Sequence, residues 1–408
     1  MKKYTKITVV SMGMVGALGG SAVAGEEASQ STFFKDVKPI FDVRFRYEGV
    51  EQEGFDEDAT ALTYRIRGGF EAGIAKDTKV LFDFEHVEAV IGEFNSTINQ
   101  RTNFPVVADP EVTELNRLQI QNTSLSDTVI TLGRQRIKQD DDRFVGNVGW
   151  RQNEQTFDAL RVVNKSIENL TLDVTYVDQV NRIFGDDSPM GRWDSNSVLA
   201  NVAYKVPVKG AKVTLGAYGY FLDFEEDAPT ASSQTLGVSA KAQKGPIAAC
   251  ARYAHQSDYG DQPISYEASY WMLEGQYKKG PVGLTAGIET LGSDEGAASF
   301  QTPLATLHKF NGFSDLFLRT PDTGLQDIYG TASFAKKSVG PVDLVKAWVT
   351  YHDFSADEGD AEYGSEVDAG LVIAKGQKKF LVKYADYQAD DFLGDRQKLW
   401  IEAGWSFK

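Results

Sequence analysis

The chain has 408 residues, 25% of them charged, and a formal charge of −16 at pH 7. An acidic chain repels phosphate backbones, which excludes nucleic acid as a main partner. The single cysteine, Cys250, excludes an intramolecular disulfide, and without a C-x-x-C or C-x-x-C-H pattern there is no basis for structural zinc or attached haem.

In chain order, the first feature is a basic start (Lys2, Lys3, Lys6), an apolar stretch from Ile7 to Gly20, and Ala22-Val23-Ala24 as an A-x-A site. This order predicts a cleavable secretory signal peptide over residues 1–24 and a mature domain over 25–408. Loss of those three lysines takes the charge from −16 to −19. No later segment approaches 18 continuous apolar residues, so no membrane-spanning helix is expected.

From residue 41 onward the pattern has period two. Phe41, Val43, Phe45 and Tyr47 interleave with Asp42, Arg44, Arg46 and Glu48. Leu62, Tyr64, Ile66 and Phe70 interleave with Thr63, Arg65, Arg67 and Glu71, and the alternation returns until Leu399, Ile401, Ala403, Trp405 and Phe407. Such segments of about ten residues are strands with one apolar face. Short polar turns fall near 75–77, 124–127, 165–168, 207–210, 244–246, 279–281, 337–341 and 375–377. Longer connectors fall near 50–60, 88–113, 138–154, 179–195, 223–233, 257–264, 292–326, 354–362 and 388–396, several of them acidic. The two kinds alternate, which predicts 18 strands with both termini on the short-turn side. That is the plan of an all-β, antiparallel, up-and-down transmembrane barrel, with short periplasmic turns and long external loops. A soluble β-sandwich needs neither this one-sided loop length nor 24 Phe, 17 Tyr and 6 Trp, many at strand ends. Lipid offers the backbone no hydrogen-bond partner, so the sheet must close, and 18 strands leave room for an aqueous lumen. The expected place is the outer membrane of a Gram-negative bacterium.

Two stretches resemble the alginate-export family of outer-membrane porins: GRQRIKQDDDRFVGNVGWRQNEQTFDA from Gly133 to Ala159, and TPLATLHKFNGFSDLFL from Thr302 to Leu318. The resemblance implies an 18-stranded barrel, in agreement with the count, and a positively charged constriction. It does not identify alginate as the solute.

By parity, Arg44, Arg46, Arg65, Arg67, Arg117 and Arg161 face the lumen in the early strands, and Lys205, Arg252 and Lys383 do so later. Inward Arg and Lys are the usual lining of anion-selective pores. Asp42, Glu48, Glu71, Asp83, Glu85, Asp173, Glu289 and Glu402 share that face, so a self-neutralising ladder is the alternative. Arg134 and Arg136 share the parity of lipid-facing Ile130 and Leu132, so either they sit above the membrane or a bulge resets the register and turns them to the lumen. The connector 292–326 is too apolar for a free tip, with Phe300, Leu304, Phe310, Phe313, Leu316 and Phe317 beside His308, Lys309 and Asn311. It is expected to fold into or over the mouth as a constriction or lid. Asp140, Asp141 and Asp142 supply hard oxygen ligands but lack EF-hand spacing, so a solvated acidic surface competes with calcium.

These features predict a channel for anionic or polar solutes, oligosaccharide included, embedded among lipid and lipopolysaccharide, without a cofactor. Two alternatives stay open. One is a barrel enzyme of the lipid-hydrolase kind, although the four histidines form no H-E-x-x-H. The other is a sleeve around a periplasmic partner protein.

Overall fold

The computed structural model describes residues 34–407, so the predicted signal peptide lies outside the described residues. Alternating sequence becomes strand throughout. The strands are β1 (Lys35–Gln52), β2 (Ala59–Ala75), β3 (Thr78–Glu93), β4 (Val112–Asn122), β5 (Thr128–Gln135), β6 (Thr156–Asn164), β7 (Leu170–Asn181), β8 (Arg192–Val206), β9 (Lys212–Leu222) and β10 (Ser233–Lys244). They continue as β11 (Ile247–Ser257), β12 (Glu267–Lys279), β13 (Val282–Leu291), a ribbon of β14 (Ser293–Asp294) and β15 (Ala298–Ser299), β16 (Leu325–Val339), β17 (Val342–Ser355), β18 (Glu362–Lys375), β19 (Lys378–Ala389) and β20 (Arg396–Phe407). All but the ribbon form one 18-stranded sheet. Each strand pairs antiparallel with its neighbours in sequence, and β1 pairs β20, with Phe41 opposite Phe407 and Gln52 opposite Arg396. The sheet is closed, so no edge is left unpaired.

The predicted eight short turns and nine long connectors all occur where expected. Each short turn holds a residue at positive φ. Asp77, Asp127 and Asn169 serve in three of them, and glycine in the other five. Tight hairpins require such left-handed positions.

Apolar side chains of one parity face outward, among them Leu132 (58% exposed), Leu273 (56%) and Val238 (55%). Aromatic residues flank this band: Tyr204, Tyr277, Phe334 and Trp405 toward the turns, and Tyr176, Tyr253, Trp271 and Tyr351 toward the loops. Two such girdles are what a membrane with two interfaces demands.

The interior is partly filled. One buried apolar cluster joins Phe300, Leu316 and Phe317 to the wall residues Tyr270, Phe354 and Tyr387. A second joins Ile137, Val145 and Leu304 to Phe157, Val177, Leu199 and Tyr220. Both are built by loops turned inward: residues 136–155, between β5 and β6, and residues 292–324, between β13 and β16.

Candidate functional site

The two inward loops meet inside the barrel. The Gly146 amide donates to the Leu304 carbonyl (2.8 Å), and the Thr306 amide donates to the Asp142 carbonyl (3.0 Å). The Gln155 side-chain amide donates to the carbonyls of Gly146 (2.9 Å) and Leu304 (3.1 Å). Arg143 clamps the joint from below, donating to Glu289 of β13 (2.6 Å), Thr302 Oγ1 (3.0 Å) and Asn311 Oδ1 (3.1 Å). Position 146 must be glycine at this approach, because a Cβ there would lie 2.2 Å from Thr306 Oγ1 and 2.8 Å from Asp142 Cβ. Gly146→Val is therefore expected to part the loops and raise single-channel conductance, and an unchanged conductance would show that the joint does not limit the current.

The arginines of β1 and β2 hold the first loop in place. Arg44 donates to Gln152 Oε1 (2.9 Å), the Gly149 carbonyl (3.1 Å) and the Arg151 carbonyl. Arg46 reaches the Trp150 carbonyl and Glu402 (2.9 Å), and its guanidinium lies 4.2 Å from the Trp150 ring centre. Arg65 bonds Asp42 and the Gln152 carbonyl (3.3 Å). Arg67 bonds Glu85 (2.6 Å) and lies 3.5 Å from Glu154. A planar fork of five donors suits a run of carbonyls that no strand satisfies. The four arginines are covered by residues 149–154 instead of forming an open wall, and Arg65 and Arg67 keep one side on a turn-side cavity.

The second loop is fixed by charge and ring stacking. His308 stacks on Trp150 (4.3 Å between centres, 7° between planes) and on Phe313. Lys383 Nζ lies 2.6 Å from His308 Nε2 and 3.1 Å from the Phe313 ring centre. Asp315 gathers His308 Nδ1 (2.7 Å), Lys398 Nζ (2.8 Å) and Arg151 Nη2 (3.2 Å). With Lys383 donating to Nε2, the imidazole is neutral and donates from Nδ1 to Asp315. Two carboxylates of β18 receive the loop backbone, Asp368 from the Phe313 amide (3.1 Å) and Glu366 from the Ser314 amide (2.9 Å).

Burial holds the His308 pKa well below its ordinary 6.5, reinforced by Lys383 beside it. A depressed histidine contributes stability at pH above 6.5 and loses it as pH falls, because the open state binds the proton first. Conductance is expected to rise on acidification below about pH 6.5, and His308→Gln should flatten that rise. A wild-type profile without pH dependence would contradict it.

Cavities lie on both sides of the joint. An outer one of about 430 Å³ is floored by Thr302, Pro303 and Leu307 and walled by Trp193, Tyr266 and Arg182. The Arg182 guanidinium lies over Trp193 (3.7 Å) and donates to the Met190 carbonyl (3.3 Å). It has no carboxylate partner among the described residues, and burial pushes it down to about 10. On the turn side, a cavity of about 530 Å³ is lined by Lys38, Arg65, Arg67, Arg117 and Arg136 with Asp42, Glu71 and Asp83. Another of about 650 Å³ sets Lys241, Arg252 and Lys309 against Glu274, Asp327 and Asp368.

The remaining sequence candidates divide. Arg117 pairs with Asp83 (3.1 Å), Arg161 with Asp173 (3.0 Å) and Arg136 with Glu154 (2.6 Å). Lys205 has the inward parity but lies exposed at the turn-side rim, away from these cavities. Arg134 is a correction. β5 keeps its alternation with no reset, so Arg134 stays on the face of Leu132 and pairs with Asp158 (2.8 Å) across β6. The aspartate trio is another. Asp140 (2.9 Å) and Asp141 (2.7 Å) bind Arg252 while Asp142 faces Lys138 (3.0 Å), and among the described residues no His/Cys/Asp/Glu group could hold a metal. In the second loop, Phe300 and Asn311 are buried, Phe310 lies under Arg143 (4.9 Å), and Lys309 reaches the Asp141 carbonyl. Of the histidines, His86 bonds Thr113 (2.6 Å) on the outer wall, away from the cavities.

Sequence reasoning missed the inward fold of residues 136–155 and with it Arg143, Trp150, Arg151, Gln152 and Glu154. The signal was present: Phe144, Val145 and Trp150 amid amides and charges are as unsuited to a free tip as the second loop.

The family described as "Alginate export" matches residues 93–292, which takes in the first of the two resembling stretches but not the second. No curated protein matches the chain. Among solved structures, OpdK of Pseudomonas aeruginosa superposes with TM-score 0.68 at 14% identity, over 92% of this chain and 99% of that one. OccAB2 of Acinetobacter baumannii gives 0.68 at 15% identity, over 92% and 100%. OpdK solved with vanillate gives 0.67 at 12% identity, over 92% and 99%. With closed barrel, girdles and family match together, the chain is an 18-stranded outer-membrane β-barrel of the porin kind, and its residues 93–292 match the alginate export family.

Proposed function

We propose that this barrel passes small anionic solutes across the outer membrane of a Gram-negative bacterium through a lumen narrowed by its two joined loops. The observation that carries this reading is the turn-side cavity, whose lining sets Lys38, Arg65, Arg67, Arg117 and Arg136 against Asp42, Glu71 and Asp83, five cations to three carboxylates. Guanidinium groups stay charged at any working pH, and a low-dielectric wall focuses their field on the aqueous path. Arg182 in the outer cavity extends the same preference toward the loop side. The joint favours small solutes: a polysaccharide strand needs the loops to part. A relative in fold has been solved with vanillate, a small carboxylate, which suits this class.

Liposomes carrying the purified protein test the reading. Small organic carboxylates are expected to enter faster than neutral sugars of equal size, and Arg182→Met should reduce that advantage. Equal rates, or faster entry of organic cations, would overturn it.

A further inference from the structure

A groove of about 680 Å³ runs along the outer wall at the seam where the last strand meets the first. Its depth comes from one small residue. Ala403 of β20 lies directly opposite Phe45 of β1 and Phe380 of β19, so an alanine separates two rings in one outward row. Phe41, Trp405 and Phe407 continue the aromatic walls toward the turn side.

The turn-side end of the groove is cationic. Lys375 and Lys378 flank the β18–β19 turn, and neither has a carboxylate partner among the described residues. Lys378 lies 4.7 Å from the Trp405 ring centre. Lys379 is 3.7 Å from Glu402, and Asp343, the nearby carboxylate, accepts the Gly376 amide (2.6 Å). Two free ammonium groups thus stand at the end of an apolar channel, at the depth where headgroups of the inner leaflet lie. Lysine stems reach an interface in this manner and place their charge on phosphate.

We propose that this seam groove is a specific site for an anionic phospholipid of the inner leaflet, with an acyl chain along Ala403 and the headgroup phosphate on Lys375 and Lys378. The apolar walls alone would take any lipid chain; the two unpaired lysines select the anionic headgroup. The site is on the outer wall, so it is independent of what the lumen carries.

Native mass spectrometry of the detergent-purified full chain, offered equal phosphatidylglycerol and phosphatidylcholine, tests this. Phosphatidylglycerol is expected to be retained about tenfold over phosphatidylcholine. Lys375→Gln/Lys378→Gln should erase that preference. Ala403→Trp, which fills the groove, should reduce retention of both lipids. Conductance should be unchanged in both variants, which confirms that the barrel is folded. Equal retention by wild type, or a preference that survives the double lysine change, would overturn the site. A dimer dispersed by Ala403→Trp would overturn it in favour of a second copy of the chain.

Discussion

Asp315→Asn is expected to release the second loop and raise single-channel conductance severalfold. Asp315 is the shared acceptor of Lys398, Arg151 and His308, all buried. Removing one member of a buried charge network leaves the others uncompensated, at a cost of about 3–5 kcal/mol. The barrel wall does not depend on this contact, so the cost falls on the packing of residues 307–318. The loop should then become a cleavage site for protease added from outside, while the barrel remains folded. Asp322→Asn is the control. Its pair with Arg319 is exposed, and exposed pairs contribute about 0–1 kcal/mol, so nothing should change. An Asp315→Asn channel with wild-type conductance would mean that the loop is held by its apolar cluster alone.

The second large effect is on selectivity. Arg65→Gln/Arg67→Gln removes two charges from the turn-side cavity and leaves Asp42, Glu85 and Glu154 without those partners. The reversal potential should move toward cations, with anion preference falling roughly three- to tenfold as the local field reverses. These arginines also hold the Gln152 carbonyl, so conductance should rise together with the shift. Arg117→Gln separates the two effects. Among the described residues Arg117 bonds Asp83 and no residue of the loop. It should shift selectivity while conductance stays near wild type. A conductance change without a selectivity change in the double variant would assign these arginines to scaffolding alone.

The wall of the barrel was legible residue by residue because period-two alternation is a local property. Phe41 to Glu48 states which face meets lipid without reference to any distant strand. Turn chemistry is local too, which is why Lys244-Gly245-Pro246 and Asp77 mark their hairpins. The lumen was less legible, because what fills it comes from far along the chain. Arg44 reads as a pore-lining charge until Gln152, 108 positions away, accepts its Nε–H. His308 reads as a lone loop histidine until Trp150 and Lys383 enclose it. The apolar content of the second loop announced its inward fold. The first loop hid the same fold under three consecutive aspartates, whose role is to meet Arg252 and Lys138 rather than a metal. Arg134 was ambiguous for a different reason: parity assigned it outward, and Asp158 on the same face supplied the partner that lets it stay there.

The most direct measurement is the reversal potential of the wild-type barrel in a planar bilayer under a KCl gradient. A lumen narrowed by joined loops beside an arginine-rich cavity predicts a small, steady conductance with clear anion preference. A cation-selective current, or a large unselective one, would contradict it.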